Sequence, residues 1–137
     1  MNEKLAFLLG GFHKNIPGVT GKMIAAIQDD IGFEFPPDYL EVMREFNGGE
    51  GRVGASNTLI LFSLEDTTEV NSAYDSLMSQ IPDYYLIGKD AADTGYAFYK
   101  PDKSIHSFGL MSIFPGDIIR RRGNTFTEFL EYMYNKT

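Results

Sequence analysis

Residues 95–108, Gly-Tyr-Ala-Phe-Tyr-Lys-Pro-Asp-Lys-Ser-Ile-His-Ser-Phe, decide the fold class. Two runs rich in aromatic and branched residues, 95–99 and 103–108, flank Pro101-Asp102-Lys103. Proline presets the backbone angle a turn needs, and aspartate bonds its own backbone there. The segment therefore reads as a hairpin, and strands joined so closely run antiparallel. Upstream, 84–87 reads as a strand ended by Gly88, after a turn at Pro82-Asp83. Residues 58–62, Thr-Leu-Ile-Leu-Phe, form the short apolar run of a buried strand. Downstream, 110–114 and Ile118-Ile119 read as further strand pieces.

Helices frame these strands. Thr20 has the character of an N-cap, Ile24, Ile27 and Ile31 recur at helical spacing, and Gly32 follows as a C-terminal stop. Pro36-Pro37 opens a second helix with Tyr39, Leu40, Met43 and Phe46 as its buried stripe, ended by Asn47-Gly48-Gly49. Ser63-Leu64-Glu65-Asp66 and Thr125-Phe126-Thr127-Glu128 have the spacing of capping boxes. The first starts a helix carrying Val70 and Tyr74; the second buries Phe126, Phe129, Leu130 and Met133. Residues 5–9 read as a short helix rather than an export signal, since Glu3 precedes them and Gly10-Gly11 ends the run. Residues 10–18 read as a Gly/Pro-punctuated connector. Helices, then mostly strands, then one helix make a single α+β domain over 1–137, with helices packed on a mainly antiparallel sheet.

Composition narrows the function. The 137 residues contain no cysteine, so disulfide scaffolds and Cys-based zinc sites are excluded. The net charge of −7 argues against nucleic-acid binding, which depends on Lys and Arg. Arg120-Arg121-Arg122 is the one basic run, and it has no interleaved aromatics; it reads as a solvated strand end or loop. No segment reaches the roughly 20 apolar residues a membrane helix needs, so the expected location is the cytoplasm. His13 and His106 lie far apart, without carboxylates at ligand spacing, and read as ordinary histidines. No phosphate loop, nucleophile elbow or metalloprotease motif occurs. Gly48-Gly49-Glu50-Gly51 lacks the strand and the Lys-Ser/Thr of a phosphate cradle, and Asp90-Ala91-Ala92-Asp93 lacks the oxygen ligands of a calcium loop. The expectation is a non-enzymatic protein without metal or cofactor.

Charge is segregated along the chain. Residues 23–83 hold twelve carboxylates against only Arg44 and Arg52, a net of −10, and the remainder is +3. Asp38, Glu65 and Asp66 fall in first helical turns, where the helix dipole favours anions. The rest is more acid than helix stabilisation requires, and would attract a basic partner. The partner-binding candidates are therefore Glu45, Glu50, Glu65, Asp66, Glu69 and Asp83. Tyr84, Tyr85 and Tyr96 join them as amphipathic anchors, with Tyr84 and Tyr85 on opposite faces of one strand.

Five groups of residues carry a family resemblance. They are Ile24 to Gly32; Phe35-Pro36-Pro37-Asp38-Tyr39 with Phe46-Asn47-Gly48-Gly49-Glu50; Leu64-Glu65-Asp66 with Val70-Asn71 and Tyr74; Ile87-Gly88-Lys89-Asp90 with Tyr96-Ala97-Phe98; and Thr125 to Leu130. In this order and spacing, over about 17–134, the chain resembles the SUKH superfamily. That superfamily groups fungal cell-wall-assembly and killer-toxin-resistance regulators with bacterial immunity proteins of polymorphic toxin systems. Two departures stand out: Ala91-Ala92-Asp93 where members often have Gly-Gly-Asp, and no Trp in the first half, where Phe62 fills the space. The resemblance implies an α+β domain that binds proteins. In a bacterial member it implies neutralising a toxin, often a nuclease and so a basic protein, by direct binding. The alternative is a cytosolic regulatory or scaffold module of the fungal type.

Overall fold

The computed structural model describes residues Met1–Thr137. The elements run α1 (Glu3–Leu8), β1 (Gly11–Lys14), α2 (Gly21–Ile31), α3 (Pro37–Glu45), β2 (Gly49–Val53), β3 (Asn57–Leu61), α4 (Leu64–Ala73), α5 (Asp75–Met78), β4 (Tyr84–Lys89), β5 (Thr94–Tyr99), β6 (Ser104–Gly109), β7 (Arg120–Gly123) and α6 (Phe126–Asn135). The seven strands form one sheet in chain order, each antiparallel to the next. The α+β class with a mainly antiparallel sheet is as the sequence predicts.

The caps fall where the residue types place them. Thr20, Ser63 and Thr125 each accept the backbone N–H three residues on, from Met23, Asp66 and Glu128. The Glu128 carboxylate reaches back to the N–H of Asn124 rather than to the cap residue. Gly32 ends α2 in the left-handed conformation, at φ 66°.

Strand alternation divides the core in two. Tyr85, Ile87, Tyr96, Phe98 and Ile105 face one side, where α1, α2, α3 and α6 pack and bury Tyr39, Phe46, Phe126 and Phe129. Leu86, Ala97 and Phe108 face the other side, covered by Leu77, Met78 and Ile81 and by the segment that follows β6. The first face is tied across the chain by Asp38, whose Oδ2 accepts both the N–H and the hydroxyl of Thr127 at 2.8 Å. The starts of α3 and α6 are thereby fixed to each other.

Two expectations need correction, and one strand goes beyond them. The stretch 10–18 is not simply a connector, because its residues Gly11–Lys14 are the edge strand β1. The glycine-rich stretch after α3 is the strand β2, which carries Gly49 and Gly51. A Cβ on Gly51 would collide with the Gly11 carbonyl of β1, so glycine here reflects close strand approach rather than a loop. Residues 110–114 and 118–119 are not strands. Asp117 accepts the N–H of Ile113 at 2.7 Å and its own N–H bonds the Ile113 carbonyl at 3.0 Å. The backbone thus closes a loop on itself around Pro115-Gly116 instead of joining a ladder. The seventh strand is the arginine run itself.

β3 and β4 pair only at Ile60–Lys89 and Leu61–Gly88. Beyond that point the chain turns into α4, and Asn71 takes the place of the missing strand. Its Oδ1 accepts the Leu86 N–H at 2.9 Å and its Nδ2 donates to the Leu86 carbonyl at 2.8 Å. One side chain thus satisfies both backbone groups of a fully buried strand residue.

Candidate functional site

The acidic candidates are all exposed, but they do not form one cluster. Glu65 and Asp66, in the first turn of α4, line a shallow cleft of about 450 Å³ together with Asn47 and Met23. Asn47 holds the corner: its Nδ2 donates to Glu65 Oε1 at 2.5 Å and its Oδ1 accepts the Leu64 N–H at 2.8 Å. Glu69 lies one turn further along α4, also exposed. Glu45, at the end of α3, pairs with the N-terminal amine at 3.1 Å. Glu50 sits on β2 opposite His13 and Ile60. Asp83 is in the turn before β4, where its carbonyl accepts the Lys100 N–H at 2.8 Å.

The tyrosines are corrected in part. Tyr84 and Tyr85 do face opposite sides of β4. Tyr85 is nonetheless buried, its ring 5.9 Å from that of Phe35 and its hydroxyl donating to Thr67 Oγ1 at 2.7 Å. Tyr96 is also buried, its ring 4.9 Å from that of Phe129. Neither ring projects from the surface as an anchor. Tyr84 is half-buried and packs against Tyr99 and His106, at 5.0 and 5.3 Å between ring centres.

Ile16, in the cleft with Glu65 and Asp66, is 78% exposed, and three further exposed apolar side chains lie in the strap between β6 and β7. Met111, Ile113 and Ile118 are 84%, 73% and 63% exposed. Scattered exposed apolar residues are ordinary, but three large ones within eight positions form the kind of patch that marks an interaction surface. The strap is held to the body by Phe114, whose N–H donates to Gln80 Oε1 at 2.8 Å and whose ring packs 6.1 Å from Phe108. A groove of about 450 Å³ runs along it between Ile81, Pro115 and Ile119. Hydrophobicity alone makes this stretch read as strand. The informative signal is Pro115-Gly116-Asp117, which interrupts the apolar run with turn residues.

A Ser–His–Asp grouping does occur, at the β5–β6 hairpin, but in the wrong order for a nucleophile. Ser104 Oγ donates to Asp102 Oδ1 at 2.5 Å and lies 2.8 Å from His106 Nε2. Its proton is committed to the carboxylate, so the imidazole acts as donor to the serine rather than as its base. Ser104 is fully buried, and Arg121 closes the group by pairing with Asp102 at 2.9 Å. No three His, Asp or Glu side chains converge to hold a metal ion. No helix is long and apolar enough to cross a membrane.

The hairpin group makes folding sensitive to acid. Burial, and then the Arg121 charge, hold the His106 imidazole below its ordinary value. The Ser104 hydroxyl, helped by its N–H and by Arg121, holds Asp102 down to about 2. Both groups bind protons more readily unfolded than folded, so each stabilises the fold at higher pH. The His106 contribution is complete above the unfolded histidine value near 6.5 and declines as pH falls through the folded value. That of Asp102 is complete above the ordinary aspartate value and is lost as pH falls towards about 2. The urea midpoint is therefore expected to be level from pH 8 to about 7 and to drop below about 6.5. His106→Gln should flatten that first drop and leave the lower one.

Compared with known families, residues 18–132 match the model of the SMI1 / KNR4 family (SUKH-1). Among curated proteins, none matches the chain.

Proposed function

Because the chain belongs to the SMI1 / KNR4 family (SUKH-1), we propose that it is a non-enzymatic protein-binding domain acting as a bacterial immunity protein, which neutralises a polymorphic toxin by direct binding. The observation that carries the reading is the apolar strap. Met111, Ile113 and Ile118 stand out from the same sheet face that carries Val70 and Tyr74 of α4, the helix bearing Glu65, Asp66 and Glu69. An exposed apolar patch is what the centre of an interface requires, and the carboxylates of α4 lie outside it. The acids raise the encounter rate with a basic surface, and the apolar side chains hold the complex once formed. A nuclease toxin has a basic substrate-binding surface, so occupation of that surface would block it without any chemistry.

The test is titration against the toxin-like product of the gene beside this one. Tight binding that weakens with added salt is expected. Met111→Asp, Ile113→Asp and Ile118→Asp together should weaken it at least about hundredfold, since buried anchors each contribute on the order of 1–2 kcal/mol. Asp66→Lys with Glu69→Lys should instead slow association and flatten the salt dependence. Binding of micromolar strength or weaker that ignores ionic strength, or full binding by the strap triple variant, would sink the reading.

A further inference from the structure

A second concavity lies on the opposite face of the sheet from the strap, with a volume of about 270 Å³. It exists because β3 and β4 diverge. Asn57 and Thr58 have no partner on β4, and the gap between them and the β4–β5 turn is open.

The cations of this cleft are unpaired. The Arg122 guanidinium and the Lys136 ammonium lie 4.8 and 5.7 Å from the centre of the same Tyr132 ring. Neither belongs to any of the ion pairs of this strongly acidic chain. Arg122 spends only its Nε, on Ser107 Oγ at 2.8 Å, and so presents both terminal nitrogens as a free fork. The one carboxylate in the lining, Asp90, accepts the N–H groups of Ala92 and Thr94 on Oδ1 at 2.9 and 3.1 Å, leaving Oδ2 free.

Tyr96 adds an independent sign. Its side chain is only 8% exposed and lines the cleft, yet its hydroxyl has no partner within the protein. Asp90, Tyr132 and Arg122 are the groups whose charges it feels. A hydroxyl left without a protein partner and open to a polar cavity is a donor that a bound ligand can take up.

We propose that this cleft binds a small phosphate monoester bearing hydroxyl groups, of the sugar-phosphate or nucleoside-monophosphate class. Arg122 and Lys136 take the phosphate dianion, with bidentate contacts from the arginine fork. Asp90 Oδ2 accepts from a ligand hydroxyl, and Tyr96 donates to a ligand oxygen. The size of the cleft limits the ligand to a small molecule. The proposal does not rest on the toxin reading, because the two surfaces are on opposite faces.

Calorimetric titration of the purified chain with ribose 5-phosphate and with adenosine monophosphate tests it, with free ribose and citrate as controls. At least one of the two monoesters is expected to bind at millimolar concentration or below. Arg122→Gln and Lys136→Gln should each weaken that binding about tenfold or more, the range of a lost charged hydrogen bond. Tyr96→Phe, which keeps the ring on Phe129, should weaken it severalfold with the thermal midpoint of the free protein unchanged. Absence of binding by both phosphates would overturn the proposal. So would affinity unchanged in both glutamine variants, or ribose or citrate binding as tightly as the phosphates. Toxin affinity of the same variants should be unaltered, so the two readings fail separately.

Discussion

Replacing Gly48 with alanine is expected to remove about 3–5 kcal/mol of stability, a large part of what a domain of this size has. Two effects combine. The backbone at Gly48 has φ 74°, a left-handed conformation that costs a residue with a Cβ about 1–2 kcal/mol. The added carbon would also stand 2.5 Å from the Leu61 carbonyl oxygen and 2.7 Å from that of Phe62, both backbone atoms that no side-chain rotation can move aside. Gly48 is where the chain leaves α3 for β2, and its carbonyl accepts the Asn15 N–H at 3.0 Å. Strain there therefore passes to β1, β2 and β3 together. The thermal midpoint should fall by on the order of 10 °C or more. Gly21→Ala is the control: nothing lies within 4 Å of its added carbon and the site is helical, so the midpoint should hold or rise slightly.

Asn71→Ala should destabilise the fold by about 2–4 kcal/mol, because it strands two buried backbone groups of Leu86 at once. Antiparallel geometry turns both groups of Leu86 away from β5, so no neighbouring strand can take over. Asn71→Asp separates the two bonds. The carboxylate still accepts the Leu86 N–H but faces the carbonyls of Leu86 and Thr67, to which the native amide donates at 2.8 Å. It should be unstable at neutral pH and recover partly in mild acid, where a protonated carboxyl donates again. Urea midpoints at pH 7 and pH 5 distinguish the two variants. Equal stability of Asn71→Ala and the native chain would show that water replaces the side chain.

Much of the architecture was legible in local chemistry. Thr20, Ser63 and Thr125 declared their helices through caps, and the aromatic strands declared themselves around Pro101-Asp102-Lys103. What escaped were elements defined by a neighbour. Gly49 and Gly51 look like loop residues until β1 is laid against them. The strap shows the opposite error: its apolar residues promise burial, and the turn residues at its centre deny them a strand to join. At the candidate surface, exposure of Glu65, Asp66 and Glu69 followed from charge. The burial of Tyr85 and Tyr96 did not follow from alternation, which says that successive residues face opposite ways but not that both faces are covered. In sequence Arg122 is one of three adjacent arginines; only the fold separates it, over Tyr132, from Arg121 on Asp102.

The order of the sheet bears on how the chain reaches this state. Every ladder joins strands consecutive in sequence, so no pairing requires distant parts of the chain to find each other across an intervening strand. The hairpins β2–β3, β4–β5 and β5–β6 close over only a few residues, and local closures of this kind form comparatively fast. The tightest closure is β2 with β3, whose paired ends Val53 and Asn57 have three residues between them, and β5 with β6 is nearly as short; either is a natural starting point from which neighbours can add. A chain emerging from the ribosome can thus assemble most of its sheet in the order of synthesis. The exception is α6, which comes last and must dock back onto the start of α3 through Thr127 and Asp38. Until it does, Tyr39 lacks the cover of Phe126 and Tyr96 that of Phe129, so completion of the core waits for α6.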